Sequence, residues 1–170
     1  TDLFVTEACE YTNSFLSFFP RIGMILNIEE DHLDFFKDLE DIRNSFHKFA
    51  KLLPADGCLI INGAIDRLQE ITGDLDCRVN TFNKEAVNSD GSAADYYPSD
   101  ITFDEFGHPS FTLHRHGEVS GSFSLQVPGE HNVCNAIASI ALADLLKIDR
   151  EVTASALHGF TGTDRLSLIH

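Results

Sequence analysis

The sequence predicts an α/β domain: a mainly parallel sheet flanked by helices, with a small antiparallel β subsheet. Two observations support this. Short apolar runs alternate with amphipathic helical patterns through the first half of the chain. Between about residues 95 and 127, three runs instead alternate apolar and polar residues and are joined by short turns. With 170 residues and 43% hydrophobic content, the chain can bury one core. We therefore expect a single domain over residues 1–170, with the subsheet within it.

The first half reads as strands buried on both faces with helices between them. Residues 3–6 and 22–28 are apolar runs that end in polar clusters, as central parallel strands do. Apolar side chains then recur at steps of three and four from Leu39 to Leu53, which predicts an amphipathic helix. The remaining predicted elements of this half are a strand at 58–62, a short helix at 65–71 and a strand at 78–82.

The second half opens with a polar segment, residues 83–94, that we interpret as a loop. Residues 99–104, 110–115 and 119–127 have the alternation of antiparallel strands with one solvated face. After Pro128 and Gly129 the helical spacing returns as far as Leu145, and a short helix is predicted at 151–157.

Composition excludes several classes of partner. The formal net charge of −15 argues against a nucleic-acid or anionic-membrane surface, since both need clustered Lys and Arg. No apolar run approaches the roughly 20 residues that span a bilayer, and the start shows no signal peptide. The cysteines are far apart without CxxC spacing, so we expect a reduced, cytoplasmic protein rather than a disulfide or zinc framework. They are Cys9, Cys58, Cys77 and Cys134.

Two polar clusters follow predicted strands. Glu7 comes directly after the first run, and residues 29–34 bring four carboxylates and His32 after the second. Because the carboxyl ends of parallel strands form the ligand edge of such sheets, we expect Glu7 and His32 at one rim. Hard oxygen ligands there suit Mg²⁺. The alternative is that Asp31 or Asp34 caps the next helix and the other acids are solvated.

A third cluster lies where the long helix after Gly129 begins. Asn132 and Asn135 are three residues apart, so they share a helix face, and their amides could read the edge of a purine ring. Alternatively, Asn132 caps the helix and Asn135 bonds locally. Near the end, Arg165 is a possible phosphate clamp. None of the eleven glycines is followed by Lys, so the phosphate-binding pattern GxxxxGK[ST] is absent from these residues.

Three segments together resemble the Mur ligase family, and within it the alanine-adding branch. Thr6-Glu7-Ala8-Cys9-Glu10-Tyr11 is similar to its Glu-Ala-Cys/Asp-Glu motif. Asn27-Ile28-Glu29-Glu30-Asp31-His32 is similar to its Asn-Ile-Glu-x-Asp-His motif. Gly129-Glu130-His131-Asn132-Val133-Cys134-Asn135-Ala136 resembles its Gly-x-His-Asn-x-x-Asn-Ala motif. The three occur in family order and spacing, and the resemblance covers nearly the whole chain.

The resemblance implies a P-loop-like central, ATP-binding domain, lacking its phosphate-binding loop, from a three-domain peptidoglycan ligase. In the full-length parent, ATP and Mg²⁺ would serve the joining of L-alanine to UDP-N-acetylmuramate through an acyl phosphate. The N- and C-terminal domains would lie outside this segment, which we expect to be inactive alone. Carried over by motif, Glu7 and His32 would bind magnesium, His131, Asn132 and Asn135 would contact adenine, and Arg165 would contact phosphates. The alternatives are another Mur or folylpolyglutamate-type amide ligase, and a non-catalytic acidic interaction module.

Overall fold

The computed structural model describes residues 3–30 and 34–162 of the chain. Within these ranges a 3₁₀ segment at Tyr11–Ser17 precedes six strands and four α-helices. The strands are β1 (Ile22–Ile25), β2 (Cys58–Asn62), β3 (Arg78–Phe82), β4 (Tyr96–Phe103), β5 (Pro109–Arg115) and β6 (Glu118–Ser124). The helices are α1 (Leu39–Lys51), α2 (Gln69–Thr72), α3 (His131–Leu145) and α4 (Arg150–Gly159).

The six strands form one sheet in the order β1-β2-β3-β4-β5-β6. Strands β1 to β4 run parallel, and β5 and β6 add antiparallel pairs. This confirms the predicted fold class, but the antiparallel strands continue the parallel sheet instead of forming a separate one. The junction is narrow, because β3 and β4 share the single register pair Phe82–Tyr96.

Hydrophobic cores cover both faces of the sheet. In β2, Cys58 and Ile60 face a core built with α3, whereas Leu59 and Ile61 face a second core built with α1 and α2. All four residues are at most 3% exposed. A strand with period-two side chains and helices on both faces is apolar at every position, which explains the continuous apolar run in the sequence.

Helix α1 begins where its backbone amides gain a side-chain partner. The Asp38 carboxylate accepts a 3.0 Å hydrogen bond from the Asp41 backbone N–H, as an N-cap does. Neither Asp31 nor Asp34 occupies this position, so the expectation that one of them caps the helix is wrong. Asp34 is instead bonded elsewhere, as described below.

The predicted strand at residues 3–6 is also wrong. This segment has no strand structure, and the Phe4 side chain is 86% exposed. An apolar run becomes a strand only where a neighbour can pair with its backbone, and in the described ranges β2 alone pairs with β1. The predicted helix at 65–71 is also shorter than expected: Arg67 takes a left-handed φ of 50°, and regular helix is confined to α2.

Candidate functional site at the carboxyl edge of the sheet

A shallow cavity lies just beyond the carboxyl end of β1. Its volume is about 190 Å³, and Ile42 and Phe46 of α1 form its apolar wall. Its polar lining is Glu10, Asn27, Glu29 and Glu30. The Asn27 side-chain amide donates to the Glu29 carboxylate, and its Oδ1 accepts a 3.0 Å bond from the Ile28 backbone N–H. Three carboxylate residues therefore border one small opening at the edge where such sheets bind ligands.

Aromatic packing brings the N-terminal segment to this cavity. The Phe15 ring is 2% exposed and stacks on Phe49 of α1, with centroids 5.0 Å apart. It also meets Phe46 edge-on at 5.4 Å. Ser45 of α1 donates to the Asn13 side chain, where the backbone is left-handed. These contacts hold the 3₁₀ segment against α1, so that Glu10 lies at the end of β1.

A hydrogen bond links the two acidic motifs. The Tyr11 hydroxyl donates to Asp34 Oδ2 at 2.8 Å, and the Tyr11 ring lies edge-on to Phe35 at 5.9 Å. The bond to the Asp34 carboxylate, together with its negative charge, raises the pKa of Tyr11. The segment after β1 is thus tied to the segment that carries the first motif.

The two predicted magnesium ligands are not seen together. Glu7 is exposed and does not line the cavity, whereas Glu10 does. His32 lies outside the described residues, as does Arg165. Over residues 3–30 and 34–162, no three His, Cys, Asp or Glu side chains are grouped as metal ligands. The oxygen donors at this edge have the chemistry that Mg²⁺ prefers, but those described do not form a complete ligand set.

A second polar group lies at the start of α3. The Asn132 side chain donates to the Pro128 carbonyl at 2.8 Å and accepts a long, 3.5 Å bond from the Asn135 amide. Both amides lie on one helix face, as their spacing predicts, whereas the N-cap of α3 is Glu130. His131 is exposed, and its ring lies so close to Gly129 that a Cβ there would come within 2.8 Å of it. The φ of 101° at Gly129 is also a conformation that favours glycine.

An ion pair attaches this helix start to the carboxyl edge. Lys84 lies just beyond β3, and its Nζ is 2.7 Å from Glu130 Oε1. The hydrogen bond that Lys84 donates to the Glu130 carboxylate raises the pKa of Lys84, and burial raises the pKa of the neighbouring Cys134 thiol. Because β1 and β3 are parallel, the α3 start and the acidic cavity lie along the same edge of the sheet. Sequence reasoning missed Lys84, which belongs to no motif and gains its place only through tertiary packing.

Five further histidines of the described residues have partners within the fold. His47 bonds Asp74, His108 bonds Asp104, His114 bonds Ser99, His116 pairs with Asp95 and His158 bonds Ser124. All four cysteines are unpaired. In the described ranges, no helix is both long and apolar enough to cross a membrane.

The parallel strands, helices on both faces and polar carboxyl edge define an α/β domain whose ligand edge lies at the carboxyl ends of its strands. Residues 1–143 match the family described as the Mur ligase middle domain. The chain belongs to the Mur ligase family.

Two similar proteins from this family are ligases of the same kind. The chain is 49% identical, over 95% of its length, to the UDP-N-acetylmuramate–L-alanine ligase of Lachnospira eligens, and 47% identical, over 97%, to that of Agathobacter rectalis. It spans only about a third of each relative, 34% and 35%.

Solved structures give the same fold. The UDP-N-acetylmuramate:L-alanyl-gamma-D-glutamyl-meso-diaminopimelate ligase from Neisseria meningitides matches 89% of this chain and 44% of its own, with a TM-score of 0.73 and 27% identity. UDP-N-acetylmuramate-alanine ligase MurC from Thermotoga maritima matches 89% of this chain and 31% of its own, with a TM-score of 0.68 and 25% identity.

Proposed function

We propose that this chain is the ATP-binding central part of a ligase that joins L-alanine to the carboxylate of UDP-N-acetylmuramate in peptidoglycan synthesis. The observation that carries the proposal is the 49% identity to a ligase of that name, over nearly the whole of this chain. The parent would also contain N- and C-terminal domains, because the relatives are about three times as long. All 170 residues would belong to the central domain.

The proposed reaction has two steps. A carboxylate oxygen of UDP-N-acetylmuramate attacks the γ-phosphorus of ATP, and ADP leaves to give an acyl phosphate. The amine of L-alanine then attacks the acyl carbon, loses a proton and displaces phosphate, which leaves an amide. Reactions of this kind depend on positioning and charge neutralisation more than on covalent chemistry by the protein.

The carboxyl edge supplies the binding groups in this proposal. Glu7 and His32 would hold Mg²⁺, which neutralises phosphate charge when bound. His131, Asn132 and Asn135 would contact adenine at the start of α3. Arg165 would contact the phosphates. The Lys84–Glu130 pair supports this arrangement, because it holds the helix start at the edge where the acidic cavity lies.

The test uses the full-length parent enzyme with Glu7→Gln and His32→Ala, and with Glu118→Gln as the control. Glu118 is an exposed acid at the start of β6, in the antiparallel part of the sheet. We expect both site variants to reduce alanine ligation strongly and to raise the Mg²⁺ concentration needed for half-maximal rate, while Glu118→Gln behaves as wild type. Near-normal ligation in both site variants would refute the magnesium assignment.

A second candidate is a ligase that adds a preformed peptide instead of alanine. The fold match to the Neisseria enzyme, whose name includes L-alanyl-gamma-D-glutamyl-meso-diaminopimelate, favours it. Supplying the full-length enzyme with UDP-N-acetylmuramate, ATP and either L-alanine or that tripeptide separates the two. If the enzyme forms product with the tripeptide and none with L-alanine, the second candidate replaces the alanine proposal.

A further inference from the structure

A second cavity lies at the opposite end of the sheet from the carboxyl edge. Arg78 and Tyr96 are the first residues of β3 and β4, Arg115 is the last residue of β5, and Lys147 follows α3. All four line an opening of about 590 Å³. That volume is within the range of small-molecule sites in proteins. The acidic cavity and the start of α3 lie at the carboxyl edge, so this cavity is separate from both.

Cations are concentrated here although the chain as a whole is strongly acidic. Four basic side chains line the cavity: Arg78, Arg115, His116 and Lys147. Arg115 lies 3.5 Å from Asp144, and His116 lies 3.1 Å from Asp95. Neither Arg78 nor Lys147 has an acidic partner in the described part of the chain. The local charge is therefore positive, and two of the cations are available to an anion.

The wall of the cavity also contains a largely buried side-chain amide that is open to the cavity. Asn80 of β3 is only 9% exposed and lines the opening, yet its side chain makes no hydrogen bond to any described residue. The Asn80 amide has both a donor and an acceptor, so a ligand in the cavity can form a hydrogen bond with it.

Tyr96 also lines this opening. Its hydroxyl donates to Asp144 Oδ2 at 3.2 Å, and the Arg115 guanidinium lies over its ring, 6.0 Å from the centroid. These contacts hold Arg115 and Asp144 in place, whereas Arg78 and Lys147 remain free to move toward a ligand. The two acids also limit the positive charge, which favours a small anion over a polyphosphate.

We propose that this cavity binds a small oxyanion, a phosphate or carboxylate group, between Arg78 and Lys147, with Asn80 bonding a polar atom of the same molecule. The site is distinct from the ATP-binding edge. A ligand there would therefore regulate or stabilise the protein rather than react.

The test titrates inorganic phosphate, acetate and chloride, at constant ionic strength, into the full-length protein by isothermal calorimetry. Saturating ADP with magnesium is present to occupy the nucleotide site. We expect saturable binding of phosphate or acetate, but not of chloride. Whichever of the two binds more tightly identifies the class of oxyanion.

Variants then locate the binding. Arg78→Gln and Lys147→Gln change exposed side chains, and each should weaken binding by about tenfold, as loss of a charged hydrogen bond does. Lys48→Gln, on the exposed side of α1, is the matched control and should bind as wild type. Asn80→Leu should weaken binding too, and its melting temperature shows whether it folds.

Two results would overturn the proposal. One is the absence of saturable binding by both oxyanions. The other is equal affinity in wild type, Arg78→Gln and Lys147→Gln, which would place the anion elsewhere. Neither result bears on alanine ligation, so this proposal and the proposed function fail independently.

Discussion

The Tyr11 hydroxyl donates to the Asp34 carboxylate at 2.8 Å, across 23 positions of sequence. The bond joins the segment that carries the Glu-Ala-Cys-Glu motif to the residue just beyond the Asp-His motif. Both motifs are assigned to magnesium in the proposed function. One exposed hydrogen bond therefore connects the residues that flank the two motifs.

Replacing Tyr11 with Phe should affect magnesium use more than folding. The variant keeps the ring contact with Phe35 but loses the bond to Asp34. In the full-length enzyme we expect a several-fold higher Mg²⁺ concentration for half-maximal ligation and little change in melting temperature, because the bond is exposed. Tyr97→Phe is the control, since Tyr97 stacks on His114 in the antiparallel region. Unchanged magnesium dependence in Tyr11→Phe would show that the bond does not organise the site.

Replacing Asn135 with Ala should weaken ATP binding selectively. Its amide is exposed and makes only a 3.5 Å bond to Asn132, so its removal should leave stability almost unchanged. If it contacts adenine, the KM for ATP should rise about tenfold, as loss of a specific hydrogen bond does. Ser139→Ala, one turn further along the exposed side of α3, should leave the KM for ATP unchanged. An equal KM for ATP in Asn135→Ala and Ser139→Ala would show that Asn135 does not contact adenine.

The Tyr96 phenol should ionise only at high pH. Burial, and next the nearby Asp144 carboxylate, raises its pKa to about 12 from 10.0. The folded state thus holds this proton more tightly than the unfolded state. The resulting contribution to stability is complete below pH 10 and is lost as the pH rises to about 12. Ultraviolet titration should show a late phenolate step that disappears in Tyr96→Phe, and a late step that persists in this variant would contradict the assignment.

Alanine at position 63 should destabilise the fold. A Cβ on Gly63 would overlap the side chain of Asn88, which is 5% exposed and bonds Thr81, Ser92 and the Ala93 carbonyl. Overpacking of this kind costs about 1–3 kcal/mol, which urea denaturation can measure. Gly159→Ala is the matched control, because a Cβ there meets nothing within 4 Å. Similar urea midpoints for Gly63→Ala and Gly159→Ala would mean that the loop carrying Asn88 moves aside at little cost in free energy.

Residues 1–170 prepared alone should not hydrolyse ATP. The pattern GxxxxGK[ST], which holds β- and γ-phosphates in this class of site, does not occur in them. Phosphate release should match the buffer blank, while the full-length enzyme turns over under the same conditions. Steady ATP hydrolysis by the purified segment would mean that other residues hold the phosphates.

Patterns that depend on local spacing predicted the structure well. Strands β2 and β3 have the predicted bounds, because each contains a continuous buried stretch: the first four positions of β2 and the last three of β3. Helices α1 and α3 begin and end within a few residues of their apolar stripes. Asn132 and Asn135 share a face, as a three-residue step requires.

Features that depend on distant partners could not be predicted in the same way. The run at residues 3–6 looks like a strand, but hydrophobicity does not reveal whether a neighbouring strand is there to pair with it. Lys84 pairs with Glu130 across 46 positions, and the sequence around either residue does not indicate the other. The cavity around Asn80 needs β3, β4, β5 and α3 together, so no single motif could indicate it.

The narrow junction between β3 and β4 has a consequence for how this sheet can vary. One register pair joins the strands, and the Asp95 carboxylate reinforces it by accepting from the Thr81 backbone N–H at 2.7 Å and hydroxyl at 3.1 Å. The parallel and antiparallel halves therefore keep their own registers independently of each other. Residues inserted at the exposed turn around Gly91, beyond the buried Asn88, would lengthen the loop without shifting the pairing in either half, which makes this turn the natural place for the domain to diversify.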